Sequence, residues 1–418
     1  MWQWAESRLG RLSGRLGQVG LVIALALGWL ALALISLSPP RVLAQGGDLA
    51  VEPVNALAAG DPLPRVVCTP GYTAVVYATG LDVPDGLAFS AAGDLYVTEE
   101  GAGRVSRLAP GGGPVEVVAA LSTPEGVALD QAGNVYVVED VANGRLIKRT
   151  PTGLTTTITA GLESPEGIVW VDDGSANGRL YLTESNIQAA LAVSSTTPAD
   201  YRTRLTQMDL NTNQVTFLFT KTALLTPIVE FEPLPVLKRV EGQFWSYTGD
   251  LTLGPGGLLY YTNELSNQIF SDTVEIDLPL VGNRPVEFRF SSDGSLFTLD
   301  PANPAAETKF VEGLFAPEGL AFSPGGDFPL YVAEEDTNGS GEGSLSRVDA
   351  QGDVTPLCTG FGTLEDVIVA ANGWLYLSED STGLIIQIQR SAGTEQQIWL
   401  PLIQKTDLTG FRNLSDLD

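Results

Sequence analysis

The chain predicts an all-β fold, a six-bladed β-propeller built from four-stranded antiparallel blades. Three observations lead there. A passage of about 40 residues recurs along the chain, and each copy holds several short stretches of alternating apolar and polar residues. The 46 Gly and 26 Pro, against only 8% aromatic residues, supply tight turns rather than helix interiors. A length of 418 residues fits one repeat-built domain.

Residues 1–44 read as a targeting segment that stands apart from the fold. Arg8, Arg11 and Arg15 form a basic start, Val19 to Leu37 is continuously apolar or small, and Val42-Leu43-Ala44 offers a cleavage site before Gln45. The expectation is a secreted protein; if the apolar run is retained, it serves as an N-terminal membrane anchor. No Cys follows the run to carry a lipid. Cleavage removes four Arg and one Glu, so a chain of net charge −27 becomes still more acidic. Such a charge excludes a general nucleic-acid binder.

Residues 45–71 form an N-terminal extension, and 72–390 form the propeller. Copies begin at Leu81, Leu121, Leu162, Tyr247, Phe315 and Gly362, the first two reading "LDVPDGLAFSAAGDLYVTEE" and "LSTPEGVALDQAGNVYVVED". In the first copy strand a is Gly86 to Phe89, b is Leu95 to Thr98, c is Arg104 to Leu108 and d is Val115 to Ala119. In the fourth, c and d are "GSLFTLDP" from Gly294 and "TKFVEG" from Thr308; a seventh blade starting at Pro285 is the alternative count. The sixth copy ends with strand c, Leu384 to Arg390, while Tyr72 to Gly80 keeps the register of a d strand ahead of the first copy. The N-terminal strand therefore closes the ring. Residues 391–418 are left as a tail, with Gln396 to Ile403 as an extra edge strand or a rival sixth d strand.

The pattern P-[DE]-G-[LIV]-A followed by G-x-[LV]-Y-V-x-[ED] resembles the NHL-repeat propellers. It also resembles the wider superfamily of gluconolactonases, senescence marker protein and strictosidine synthase-like proteins. The resemblance spans Tyr72 to Arg390 and implies the fold; activities within that superfamily differ.

Two repeat positions bring acidic residues to the face carrying the d–a and b–c connections. Just before strand a stand Asp85, Glu125, Glu166, Gly249, Glu318 and Glu365; at the end of strand b stand Glu99, Glu139, Glu184, Asn263, Glu334 and Glu379. Carboxylates gathered this closely repel one another, and a hard divalent cation such as Ca²⁺, bound through oxygen, would compensate. The five acids of the first ring are the candidate metal ligands. The second ring has another reading, as a cap on its own b–c turn, with Glu99 and Glu139 facing Arg104 and Arg145.

The repeat is inflated around the fourth copy by Ser185 to Arg204, Lys221 to Ser246 and Glu264 to Asp293, all on the carboxylate face. Tyr201, Phe231, Phe244, Trp245 and Tyr247 there could wall a pocket for a small molecule or a protein partner, with Asn263 beside it. A satellite apolar cluster tying the loops down is the other reading.

With no His anywhere, the chain has no Ser-His-Asp triad and no His-ligated zinc. It also lacks the His base of quinone-dependent sugar dehydrogenases, which its segment "VVYATGLDVPDGLAF" resembles. A binding or scaffold propeller, a metal-dependent lactone or ester hydrolase or lyase, and an electron-transfer or other cofactor role remain. For the second, the gluconolactonase resemblance implies a divalent cation held by a Glu, by Asn residues and by the Asp of a "PDG" context. Glu166 of "PEGIVW", Asp85 of "PDGLAF" and Asn263 are the matching positions.

Cys68 and Cys358 are the only cysteines. An oxidising compartment and an even count favour a disulfide. The repeat register opposes one, because it sets them at opposite faces unless Val66 to Gly71 doubles back along the outer edge.

Overall fold

The computed structural model describes residues 57–109, 113–186, 199–231, 235–243, 248–263, 270–278, 282–291, 294–335 and 342–390. The targeting segment, the 391–418 tail, Phe244, Trp245 and Tyr247 lie outside them. Six β-sheets, each with a four-stranded antiparallel blade, surround a central channel. Blade 1 comprises β3 (Pro84–Phe89), β4 (Leu95–Glu99), β5 (Arg104–Leu108) and β6 (Pro114–Val118). Blade 2 comprises β7 (Pro124–Leu129), β8 (Val135–Glu139), β9 (Gly144–Arg149) and β10 (Thr155–Leu162). Blade 3 starts with β11 (Pro165–Val171), β12 (Arg179–Asn186), β13 (Ala199–Asp209) and β14 (Gln214–Phe231). Blade 4 is β16 (Thr248–Leu253), β17 (Leu259–Asn263), β20 (Gly294–Leu299) and β21 (Thr308–Leu314). Blade 5 is β22 (Pro317–Ser323), β23 (Asp327–Glu334), β24 (Gly343–Val348) and β25 (Val354–Phe361).

Alternation within the strands puts one apolar row on each blade face, and neighbouring blades pack row against row. Ala88, Val105 and Val118 of blade 1 meet Val127, Val135, Val137 and Ile147 of blade 2 in one buried cluster. Each such Val is worth about 1.5–3 kcal/mol when fully removed from water. Where the innermost strand of blade 2 meets that of blade 3, the approach is so close that only glycine fits: a Cβ on Gly126 would sit 2.2 Å from the Glu166 carbonyl oxygen. That contact is the physical reason for the Gly of the "PEG" motif.

The ring closes as its register predicts. In blade 6, β26 (Leu364–Val369), β27 (Leu375–Glu379) and β28 (Leu384–Arg390) are completed by β2 (Tyr72–Ala78), which pairs antiparallel with β28. Ahead of it, residues 57–71 run as a strap along the outer edge. Gly60 and Leu63 donate backbone hydrogen bonds to Val76 and Ala74 of β2, and β1 (Val67–Cys68) adds a fifth strand to blade 5 beside β25. The strap thus doubles back and brings Cys68 opposite Cys358, and the two form a disulfide with Cα atoms 4.0 Å apart.

The seventh blade is absent among the described residues, and two of the expected long loops are strands. The distal half of β14, β15 (Pro235–Gln243), β18 (Phe270–Leu278) and β19 (Gly282–Ser291) extend blade 3 into a seven-stranded sheet, with β15 and β19 pairing in parallel. Pro285, the start of the alternative blade, lies within β19. The annex rises on the carboxylate face, because it is built from that face's connections. Its signal was present as period-two alternation in Val286, Phe288 and Phe290 against Glu287 and Arg289.

Candidate metal centre at the channel mouth

In five of the blades the site geometry is set by a recurrent latch where strand b ends. In blade 1 the Glu99 carboxylate accepts the Asp82 N–H at 3.0 Å, and Glu100 N–H donates at 2.9 Å to the Val83 carbonyl. Glu139 with Ser122 (2.9 Å), Glu184 with Glu163 (2.7 Å) and Glu334 with Phe315 (2.9 Å) repeat the first bond. The second recurs from Asp140 to Thr123, from Ser185 to Ser164 and from Glu335 to Ala316. Val83, Thr123, Ser164 and Ala316 all adopt the left-handed conformation, with φ of 53°, 43°, 46° and 42°. For β-branched Val and Thr this is a costly conformation, of order 1–3 kcal/mol, so the surrounding latch must hold it.

The latch separates two adjacent side chains. Glu99, Glu139, Glu184, Glu334 and Glu379, expected by one reading at the mouth, turn into their own blades. Glu99 takes a bidentate bond from Arg104, with both N–O distances 2.8 Å, and Glu139 is similarly paired with Arg145. Asn263 occupies the same position in blade 4, fully buried against Ser295, and is not among the residues lining the cavity. The next residue, Glu100, Asp140, Glu335 or Asp380, is the one offered to the channel side. Sequence reading missed these four, although strand alternation in the "EE" and "ED" pairs carried the signal.

All five first-ring acids, Asp85, Glu125, Glu166, Glu318 and Glu365, line one cavity of about 250 Å³ at the channel mouth, with Gly249 at the sixth position. Carboxylate oxygens of Asp85, Glu100 and Glu125 lie within 4.8 Å of one another, as do those of Glu125, Asp140 and Glu166. Glu125, Asp140 and Glu166 are all buried. Oxygens about 2.4 Å from one ion can be up to about 4.8 Å apart, so each trio has the span of a Ca²⁺ site. The donors are oxygens throughout, which suits Ca²⁺, Mg²⁺ or Mn²⁺. The crowding is electrostatically costly. Burial, and then the charges of Asp380, Asp85, Glu335 and Glu318, push Glu365 well above the usual carboxylate range. Burial pushes Asp380 up to about 6.

Two further acids escaped sequence reading. Where four blades carry the motif glycine, blade 4 has Asp250 and blade 6 has Asp366, and both line the cavity. Each reaches to the following blade: Asp366 accepts the Leu87 N–H at 2.7 Å, and Asp250 accepts the Leu320 N–H at 3.4 Å. Burial raises both, Asp250 to about 7, and the Asp250 charge adds to the rise at Asp366. Below the carboxylates the wall is apolar, formed by Phe89, Leu129, Trp170 and Ile368. Tyr201 lies in β13, paired in register with Ala223.

Neither a protein-family model nor a curated protein sequence matches the chain. Solved structures do. A gluconolactonase from Xanthomonas campestris aligns with a TM-score of 0.54 at 13% identity, covering 82% of this chain and 99% of its own. The holo pyranose dehydrogenase PQQ domain from Coprinopsis cinerea aligns at 0.49 and 15% identity, covering 79% of this chain and 99% of its own. A calcium structure of a Trichoderma reesei carbohydrate-active enzyme of family AA12 aligns at 0.48 and 14%, covering 80% and 99%. At such identities the likeness is one of fold, and this chain is a six-bladed β-propeller of the architecture that gluconolactonase shares.

Proposed function

We propose that the protein is an exported, acidic binding propeller that holds a divalent cation, Ca²⁺ by preference, at the channel mouth. The observation that carries this reading is the pair of carboxylate trios sharing the buried Glu125, one of them, Glu125 with Asp140 and Glu166, buried throughout. Asp85, Glu100, Asp140 and Glu166 complete the donor set, and the cation offsets the repulsion that adds to burial in raising Glu365. At the first-ring position blade 4 has Gly249 instead of an acid, which leaves that ring open at blade 4, with Asp250 next to the opening. A small oxygen-bearing molecule or a protein loop entering there would meet the cation first and the apolar channel wall beyond it. Export is supported by the N-terminal pattern, the acidity and the Cys68–Cys358 disulfide.

The test is calorimetric titration of the metal-stripped protein with Ca²⁺. Glu125→Gln removes the shared ligand and is expected to weaken binding by at least about tenfold. Heat-silent titrations of the wild type with Ca²⁺, Mg²⁺ and Mn²⁺, together with no metal in the purified protein, would defeat the reading.

A second reading, metal-assisted hydrolysis of a lactone or ester, is favoured by Asp250. A carboxyl with a pKa near 7 beside the proposed cation is suited to exchange a proton near neutrality. A bound divalent ion supplies carbonyl polarisation. Asp250→Asn is expected to abolish any turnover of a lactone panel while leaving Ca²⁺ binding within about threefold.

A further inference from the structure

The latch carboxylates of blades 1, 2 and 3 each have an arginine from their own strand c: Arg104, Arg145 and, at 3.9 Å, Arg204. Blade 6 cannot repeat this. The residue paired in register with Glu379 is Leu384, whereas Glu99 and Glu184 face Arg104 and Arg204. The missing guanidinium arrives from 314 positions earlier in sequence: Arg65, on the strap, pairs with the fully buried Glu379. The Arg65 backbone is seated as closely as its side chain. Gly360, at φ +88°, leaves room for the Arg65 carbonyl, which a Cβ would meet at 2.4 Å. Three residues on, Cys68 fixes the strap to β25 through the disulfide.

Glu379 in turn reaches the mouth. It accepts the Gly362 N–H, and the Asp380 N–H donates to the Thr363 carbonyl, so the turn leading into Glu365 hangs on this carboxylate. Glu365, Asp366 and Asp380 are the acids that blade 6 contributes to the mouth.

We propose that Arg65 is a positioning residue for the channel mouth, and that the Cys68–Cys358 disulfide, by holding the strap, couples thiol–disulfide exchange to the mouth's affinity for cations. The exchange uses a dithiol reductant. Its thiolate attacks the half-buried Cys68 sulfur, the S–S bond breaks, and Cys358 leaves as a thiolate that takes up a proton. The reductant's second thiol then displaces Cys68 and departs as a cyclic disulfide, having supplied two electrons. With the strap released, Glu379 loses its one charged partner, keeping only the Gly362 N–H and the Thr382 hydroxyl, and the turn that carries Glu365 loosens.

The cation part of this inference rests on the proposed function; the strap part does not, and the experiment separates them. Ca²⁺ titration and amide hydrogen exchange are run on the folded protein, oxidised and after dithiol reduction, for wild type, Arg65→Gln and Arg65→Lys. Reduction is expected to weaken Ca²⁺ binding about fivefold or more, and by linkage saturating Ca²⁺ should disfavour reduction by the same factor. Arg65→Gln should reproduce the loss while oxidised, with little further loss on reduction, and Arg65→Lys should restore part of it. Exchange at Gly362, Thr363 and Leu364 should quicken in step. Equal affinities in both redox states, or a full reduction effect persisting in Arg65→Gln, would overturn the coupling. If the oxidised protein binds no Ca²⁺, the cation reading fails by itself; unchanged exchange at 362–364 on reduction would then overturn the strap's role as well.

Discussion

Glu99 and Glu334 occupy the same repeat position and differ in one partner, which makes them an internal experiment. Burial raises both carboxyls, but at Glu99 the hydrogen bonds from Arg104, Ser106 and Asp82 N–H bring the pKa below its ordinary value. At Glu334 the neutral Ser346, Phe315 N–H and Ser344 do not, and burial keeps it raised. Glu184, with its arginine at 3.9 Å, is raised as well. Charge removal should therefore act oppositely at the two sites. Glu99→Gln is expected to cost about 1–3 kcal/mol at neutral pH, since it leaves the latch without its charge-assisted bonds. Glu334→Gln should be within about 0.5 kcal/mol of neutral or stabilising, because it removes a charge that burial already disfavours. Urea unfolding of both variants checks the difference. The sequence showed that these acids recur. It could not show that Glu99 and Glu100 part company, because the latch turn depends on a left-handed Val83 that no local signal announces before a proline.

At the scale of the element, the strands were legible because alternation, Gly turns and repeat register agree, and β2 was assigned to blade 6 on register alone. Its position makes an ordering of deletions. Removing Tyr72 to Gly80 strips blade 6 of its outer strand and is expected to abolish cooperative unfolding, whereas truncation after Arg390 should cost far less. A reversed ranking in urea would reassign the closing strand. The motif glycine gives a sharper test. Gly126→Ala is expected to destabilise by about 1–3 kcal/mol, since the new Cβ must displace the Glu166 backbone. The annex was less legible. Its strands begin where the repeat stops, so no register marked them, and their pairing is partly parallel and between distant segments.

For the whole molecule, carboxyl groups with raised pKa values set the response to pH. Asp250 at about 7 and Asp380 at about 6, with Glu365 and Asp366 also raised, hold protons in the folded state that the unfolded chain has already released. Their stabilising contribution is fully present below about pH 4, the ordinary carboxyl value, and is lost as pH rises through about 6 to 7. Metal-free protein should therefore melt at a higher temperature at pH 5 than at pH 8. Ca²⁺ should reverse the trend, since its charge at the mouth favours the ionised form of those neighbouring carboxyls. At a hundredfold excess over its dissociation constant it adds about 2.7 kcal/mol, and more of that is available at pH 8 than at pH 5. A pH-independent Ca²⁺ shift in the melting curve would count against carboxylate ligation.

The circular closure has a consequence for synthesis. The strand that finishes blade 6 emerges from the ribosome before strands a to d of the other five blades, and its partner β28 emerges after all of them. Cys68 waits 290 positions for Cys358. Until then Tyr72 to Ala78 is a bare, β-prone edge, and blades 1 to 4 can form sheets but no ring. Closing so long a loop makes the final step slow and the nascent intermediate exposed. A chain stopped before Leu384 is thus expected to associate with other copies through its unpaired edges, and escape from association should coincide with the arrival of the last strand.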